Sequence, residues 1–221
     1  MGGRSGQSTG GGGGGSASAA GGYQNAVIQT EFPNETGLSN QTFLKLAGIP
    51  DDFNGVANIR YDSSERVLVS INDNGINMTR RINIKDKIID NDLFVIKKDS
   101  KYKGQGAKIF GNQVEAARKA GYEKIRTQAA GNLKDRTYNG YYTWARLGYM
   151  QRNDYNNQLA VRNIKNQTGV DYGNFQTMMR TTSGIKAWKE HGSAFAGIFD
   201  LKKGSESIKT LNNYLKNKKQ N

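Results

Sequence analysis

Short apolar runs separated by polar segments fill the middle of the chain, and this pattern predicts β-strands. Runs 56–60 and 66–71 flank a polar turn at 62–65, which is typical of a hairpin. A third strand is predicted over 77–84. The continuous apolar run 93–96 follows, and such a run is typical of a strand buried on both faces of a sheet. We therefore expect antiparallel strands that lead into one central strand.

The spacing of apolar residues becomes helical after residue 106. Four of them lie on one predicted helix face: Ile109, Phe110, Val114 and Ala117. Gly121 ends this helix, because glycine readily adopts the left-handed conformation of a helix terminus. Residues 124–129 then form the next predicted strand. Segment 93–129 is thus a β-loop-α-β unit, whose two strands should be parallel with a right-handed crossover.

The remaining pattern predicts further helices and one more strand. The predicted helices are 41–48, 140–147, 156–165, 175–189 and 205–216, and the predicted strand is 194–201. The fold class is therefore α/β, with a mixed, mostly antiparallel central sheet flanked by helices and with extra helices towards the C-terminus.

Composition divides the chain into a leader and one domain. Residues 1–22 are nearly all Gly, Ser, Ala and Thr, with six consecutive glycines at 10–15, and such a segment is expected to be a disordered tether. Residues 23–221 are expected to form a single domain, with its core at 54–150 and a helical extension and closing strand at 151–221.

The residues available for chemistry narrow the possible functions. With no cysteine and a single histidine, His191, a thiolate or histidine metal site is not expected. The net charge of +13 favours encounter with polyanions, including nucleic acid and anionic cofactors. Neither a membrane-spanning apolar run nor a signal peptide is evident, so we expect a cytoplasmic location and no membrane partner.

The loop 101–106, Lys-Tyr-Lys-Gly-Gln-Gly, has the composition of an anion-binding loop. It lies between a predicted strand and a helix N-terminus, where unpaired N–H groups and the helix dipole favour phosphate oxygens. Gly104 and Gly106 permit close approach of a diphosphate, and Lys101 and Lys103 add positive charge. A dinucleotide-binding loop would need glycine where Ile109 stands. A tight turn without a ligand is the alternative.

Two segments resemble the GNAT acyltransferase superfamily. Lys101-x-x-Gly104-x-Gly106 is similar to the family's pyrophosphate loop, and Trp144-Ala-Arg-Leu-Gly-Tyr149 is similar to the ending of the helix that follows the next strand. The resemblance implies acetyl-CoA or CoA as cofactor and transfer of an acetyl group to an amine. The cofactor-binding residues that it implies are Val95, Ile96, Lys101, Lys103, Gly104, Gln105, Gly106 and Ala107.

The resemblance also implies catalytic candidates. Trp144 stands where many members carry the tyrosine that protonates the departing thiolate, and an indole N–H can donate a hydrogen bond but is not an acid. Tyr141, one helical turn earlier, is the candidate substitute. Asp92 is the candidate general base, although Asp90 and Asp92 are also compatible with an ordinary turn.

Further segments are similar to phage proteins that carry a GNAT-like domain. They are the run 140–149, Trp188-Lys-Glu-His-Gly192 and Phe199-Asp-Leu201. The alternative function is therefore a catalytically silent GNAT-like module in the host cytoplasm or the virion. Its partners would be virion proteins or nucleic acid, bound through the basic surface.

Overall fold

A computed structural model describes residues 23, 26–31, 33–73, 75–134 and 138–218 of the 221-residue chain. The predicted leader at 1–22 lies outside the described residues. Within those ranges no helix is long and apolar enough to cross a bilayer. No cluster of three or more His, Cys, Asp or Glu side chains suited to a metal ion occurs among them either.

The described strands form one eight-stranded sheet, in the order β1-β2-β3-β4-β5-β6-β8-β7. They are β1 (Val27–Glu31), β2 (Val56–Tyr61), β3 (Arg66–Asn72), β4 (Ile76–Asn83), β5 (Ile88–Ile96), β6 (Lys124–Ala129), β7 (Met150–Gln151) and β8 (Phe195–Asp200). Only the β1–β2 and β5–β6 pairs are parallel. This confirms the predicted α/β class with a mixed, mostly antiparallel sheet.

Seven helices in the described ranges flank this sheet. They are α1 (Asn40–Ala47), α2 (Gly106–Lys119), α3 (Gly140–Arg146), α4 (Asp154–Thr168), α5 (Phe175–Met178), α6 (Thr182–His191) and α7 (Glu206–Lys218). The single helix predicted over 175–189 is wrong, because two helices occupy that segment. Thr181 has extended backbone angles and its side chain accepts a hydrogen bond from the Gly184 N–H at 3.0 Å, so a new helix begins there.

Two strands were not predicted. β1 contains one buried residue, Ile28, so it lacks the alternation that identifies a half-buried strand. β7 has only two residues and pairs antiparallel with β8 through Met150 and Gln151. The chain therefore enters a sheet strand directly after Tyr149, and the helices α4 to α6 are inserted between β7 and β8.

The helices lie against one face of the sheet. Phe110 of α2 contacts Phe199 of β8 with ring centroids 5.2 Å apart, and Trp188 of α6 contacts Phe195 at 6.1 Å. On the opposite face no described strand residue is fully buried.

The predicted two-sided burial of 93–96 is therefore wrong. Leu93 is 41% and Val95 37% exposed on the helix-free face. Phe94, which faces the helices, is half-buried and packs against the core. The apolar run 93–96 is therefore covered by helices on one face of the sheet, and its other face is exposed.

Candidate functional site

The loop before α2 forms a compact turn. The N–H groups of Lys103 and Gln105 donate to the carbonyls of Ser100 and Tyr102 at 3.0 and 2.9 Å. Gly104 has a φ of +76°, which few residues other than glycine adopt, and an added Cβ would meet open space there. Gln105 occupies the N-cap without a side-chain cap, since its amide donates back to the Lys101 carbonyl. The first turn of α2, including Ala107, therefore presents N–H groups that no capping side chain satisfies.

The lysines around this loop differ in their environments. Lys101 Nζ donates to the backbone carbonyl of Asp52 at 2.9 Å and lies 3.6 Å from its carboxylate, so it is turned towards the α1–β2 connection. Lys103 is exposed. Lys218, near the end of α7, donates to the carbonyl of Gly104 and brings a positive charge onto the loop. From the sequence, Lys218 is only one of several C-terminal lysines that could contact phosphates, and its position at this loop was not predicted because 114 residues separate it from Gly104.

The strands β5 and β6 pair over only part of their length. Their parallel register runs from Ile88 opposite Lys124 to Asn91 opposite Thr127. Beyond Asn91 the strand β5 continues along β4 alone, after a bulge in which Asp92 has no partner opposite it. The loop and the N-terminus of α2 follow this diverging end.

A hydrogen-bond network closes the base of the divergence. Asn91 and Gln113 exchange two amide hydrogen bonds, each 2.9 Å long, and Gln113 also donates to the carbonyl of Leu46 at 3.0 Å. Asn91 donates further to the hydroxyl of Tyr149 at 3.3 Å. Because each of these polar groups is buried, the network fixes β5, α1 and α2 relative to one another.

Aromatic side chains fill the space beside the diverging end. The ring of Phe94 lies 5.9 Å from that of Trp144, which in turn contacts Phe110 and Tyr149 at 5.5 and 5.1 Å. Ile96 is half-buried, and its Cδ1 would lie 3.5 Å from a Cβ added to Gly106. The face of β5 that was expected to line a pantetheine arm is thus occupied by the chain's own side chains.

Arg80 lies under the bulge. Its guanidinium donates to the carbonyls of Ala47 and Thr79 at 3.3 and 3.1 Å and to that of Leu93. Burial lowers its pKa to about 10, so it remains charged at neutral pH. This arginine thus binds two backbone oxygens beside the bulge, those of Thr79 and Leu93, and one at the end of α1, that of Ala47.

The three catalytic candidates do not come together. Asp92 accepts two hydrogen bonds from Arg81, 2.7 and 2.8 Å long, on the helix-free face of the sheet. Trp144 is 8% exposed among the aromatic rings of the helix face. Tyr141 is buried, and its hydroxyl donates to the carbonyl of Lys189 at 2.7 Å. Burial raises the pKa of Tyr141. The sheet therefore separates the Asp92 carboxylate from the side chains of Trp144 and Tyr141.

A groove of about 950 Å³ runs between α2 and α7, and it begins at Gly104 and Gln105. Its apolar floor is formed by Gly111, Val114, Ile208, Leu211 and Leu215. Its rim is mostly basic, with Lys108, Arg118, Lys119 and Lys218, and includes Glu115, which pairs with Lys119 at 2.7 Å. The volume is typical of small-molecule sites. Sequence reasoning missed this groove because it depends on how two helices, distant in the chain, pack together.

Comparisons of the chain with protein-family models, with curated proteins and with solved structures find no match.

Proposed function

We propose that this chain is a GNAT-like protein that binds acetyl-CoA or CoA, with the pyrophosphate at the loop 101–106 and the nucleotide in the groove between α2 and α7. One observation carries the proposal: the groove begins at Gly104 and Gln105, which are residues of the loop that the sequence nominates. A flat apolar floor with basic side chains at its rim suits an adenine ring attached to phosphates.

The residues present fit the nucleotide half of this cofactor better than its acyl half. Lys108 and Lys218 lie where phosphate oxygens would be neutralised, beside the uncapped start of α2. The pantetheine path along Val95 and Ile96 has less support, because Val95 points to the helix-free face and Phe94 contacts Trp144. An acyl arm that followed β5 would require this aromatic contact to open.

The two alternatives are acetyl transfer to an amine and binding of the cofactor without catalysis. The geometry favours binding without catalysis. A general acid must reach the departing sulfur, whereas the Tyr141 proton is held by a backbone carbonyl and the Trp144 indole is not an acid. Asp92 is engaged by Arg81 on the far face of the sheet. We infer that the protein holds CoA or an acyl-CoA as a bound ligand and does not use these three residues for transfer.

Isothermal titration of CoA and acetyl-CoA into the full chain tests the binding. Gly104→Asp and Gly104→Asn form a matched pair, since both residues tolerate a positive φ and only aspartate adds negative charge. We expect micromolar binding that weakens at least tenfold more in the Asp variant than in the Asn variant. Lys108→Gln should also weaken binding, whereas Lys186→Gln, an exposed change on α6, should not. Equal binding by both Gly104 variants would contradict the proposal.

Thiol release tests the transfer. Because the chain has no cysteine, a thiol reagent detects free CoA without background from the protein. Incubation with acetyl-CoA and a panel of polyamines and lysine peptides should release no thiol above the rate without protein. Release that is abolished by Tyr141→Phe would establish the enzyme instead.

A further inference from the structure

Arg146, at the end of α3, is held between two tyrosine rings. Its guanidinium carbon lies 5.1 Å from the ring centre of Tyr142 and 4.8 Å from that of Tyr214. Its Nε is buried and has no hydrogen-bond partner among the residues that the structure describes. A guanidinium fixed in this way is a preorganised donor, because little side-chain entropy remains to be lost when a ligand binds.

This side chain lines a pocket of about 320 Å³ on the side of α7 opposite the groove. The polar residues that line it with Arg146 are Arg180, Thr210, Asn213, Asn217 and Lys218. The described lining contains three basic residues and no acidic one. Arg180 contacts Glu206, and Lys218 donates to the Gly104 carbonyl. Among the described residues, Arg180 thus has a carboxylate partner and Lys218 a carbonyl partner, whereas Arg146 has neither.

A buried N–H without an acceptor costs roughly 1 to 3 kcal/mol, and more where the group is charged. The Nε itself is closed to solvent, but an anion in the pocket would neutralise the charge of the guanidinium that lines it. Planar guanidinium groups match phosphate oxygens in geometry, and the amides and the hydroxyl of the lining add neutral donors. The volume is at the lower end of the range for ligand sites, so it suits a phosphate or a diphosphate rather than a whole nucleotide.

We propose that this pocket binds the phosphate or diphosphate group of a small molecule, with Arg146 as its principal ligand. The site is distinct from the groove assigned to CoA. Residues Ile208, Leu211, Asn212 and Leu215 of α7 line the groove, whereas Thr210, Asn213, Tyr214 and Asn217 line the pocket. Lys218 lines both, so occupancy of one site should influence the affinity of the other.

Titration of inorganic pyrophosphate into the full chain tests the proposal, with the Gly104→Asp variant as background to suppress binding at the loop. Arg146→Lys keeps the charge but loses the planar donor group, and affinity should fall about tenfold, equivalent to one hydrogen bond to a charged group. Asn217→Asp places a negative charge at the mouth and should weaken binding at least fivefold. Asn156→Asp adds the same charge at the start of α4 and should have no effect.

Two results would overturn the inference. One is equal affinity for pyrophosphate in the Asn217 and Asn156 variants. The other is the absence of pyrophosphate binding, and salt-dependent binding of a single-stranded oligonucleotide in that case would indicate a nucleic-acid surface instead. Since Asn217 is exposed, its variant remains informative even where Arg146→Lys unfolds the protein. If the wild-type chain binds pyrophosphate but not CoA, the proposed function is contradicted and the phosphate pocket is not.

Discussion

The hydroxyl of Tyr141 donates a hydrogen bond of 2.7 Å to the backbone carbonyl of Lys189, and the indole N–H of Trp188 returns one of 3.0 Å to the carbonyl of Tyr141. The two bonds join α3 to α6. The residue that the sequence nominates as a substitute acid is thus a structural tie between an early helix and the inserted helical region.

Tyr141→Phe should accordingly lower stability. The variant leaves the Lys189 carbonyl without its donor, and we expect the free energy of unfolding to fall by about 1 to 2 kcal/mol. Urea denaturation at pH 7 measures this. Tyr155→Phe is the matched control, because Tyr155 is 68% exposed, and it should change stability by less than about 0.5 kcal/mol. Equal stability of the Tyr141 variant and the wild type would contradict the structural role.

Tyr122→Phe should have the opposite effect. The Tyr122 hydroxyl is buried without a partner in the described part of the chain, so its removal should raise the free energy of unfolding by up to about 1 kcal/mol at pH 7. The ring contact with the ammonium of Lys87 is retained by phenylalanine. A loss of stability in this variant would show that the hydroxyl has a partner after all.

Tyr122 should also contribute to alkaline unfolding. Burial raises its pKa to about 12 in the folded chain, above the ordinary value of 10.0. Between these two values the unfolded chain loses the Tyr122 proton while the folded chain retains it, so the stability present below pH 10 is lost as the pH rises towards 12. Denaturation of both proteins at pH 7, 10 and 12 should show the advantage of Tyr122→Phe growing with pH. A constant difference would contradict the raised pKa.

The Asn91–Gln113 pair should show strong energetic coupling. Gln113→Leu leaves the Asn91 amide and the Leu46 carbonyl unsatisfied, and Asn91→Leu strands the Gln113 amide, so each change should cost about 2 to 3 kcal/mol. The double variant should cost clearly less than the sum, because both buried amides are gone. A double-mutant cycle by urea denaturation measures the coupling, and additive costs would contradict the network.

The apolar run of β5 should respond to substitution according to its faces. Phe94→Ala removes a ring that packs against Trp144 and Arg80 and should cost about 2 to 3 kcal/mol. Leu93→Thr and Val95→Thr, on the exposed face, should each change stability by less than about 0.5 kcal/mol. Losses of unfolding free energy of similar size at all three positions would indicate that the helix-free face of the sheet is covered.

The sequence predicted the elements that depend on local pattern. The hairpin strands at 56–60 and 66–71 and the helix after Gly106 are found close to where they were expected. The parallel pairing of β5 with β6 is also found, but through 88–91 and not through the predicted run 93–96. The burial of 93–96 was wrong because apolar content alone does not reveal which faces a helix will cover. β1 was not predicted because it has a single buried residue, and one residue cannot show the alternation that identifies a strand.

The candidate site was predictable only as a loop. Glycine spacing and the following helix identify 101–106, since both signals are local. The groove, the contact of Lys218 with Gly104 and the inward position of Trp144 depend on packing between segments far apart in the chain. Such contacts leave no periodic signal in a single sequence.

The contact between Lys218 and Gly104 also determines when a groove between α2 and α7 can exist. During synthesis, α2 and the whole of the sheet emerge from the ribosome before α7 does. A nascent chain that ends before residue 206 contains the loop but only one wall of the groove. Ligand binding there therefore appears only after α7 has been synthesised, and a ligand in the groove would stabilise only chains whose synthesis has passed α7.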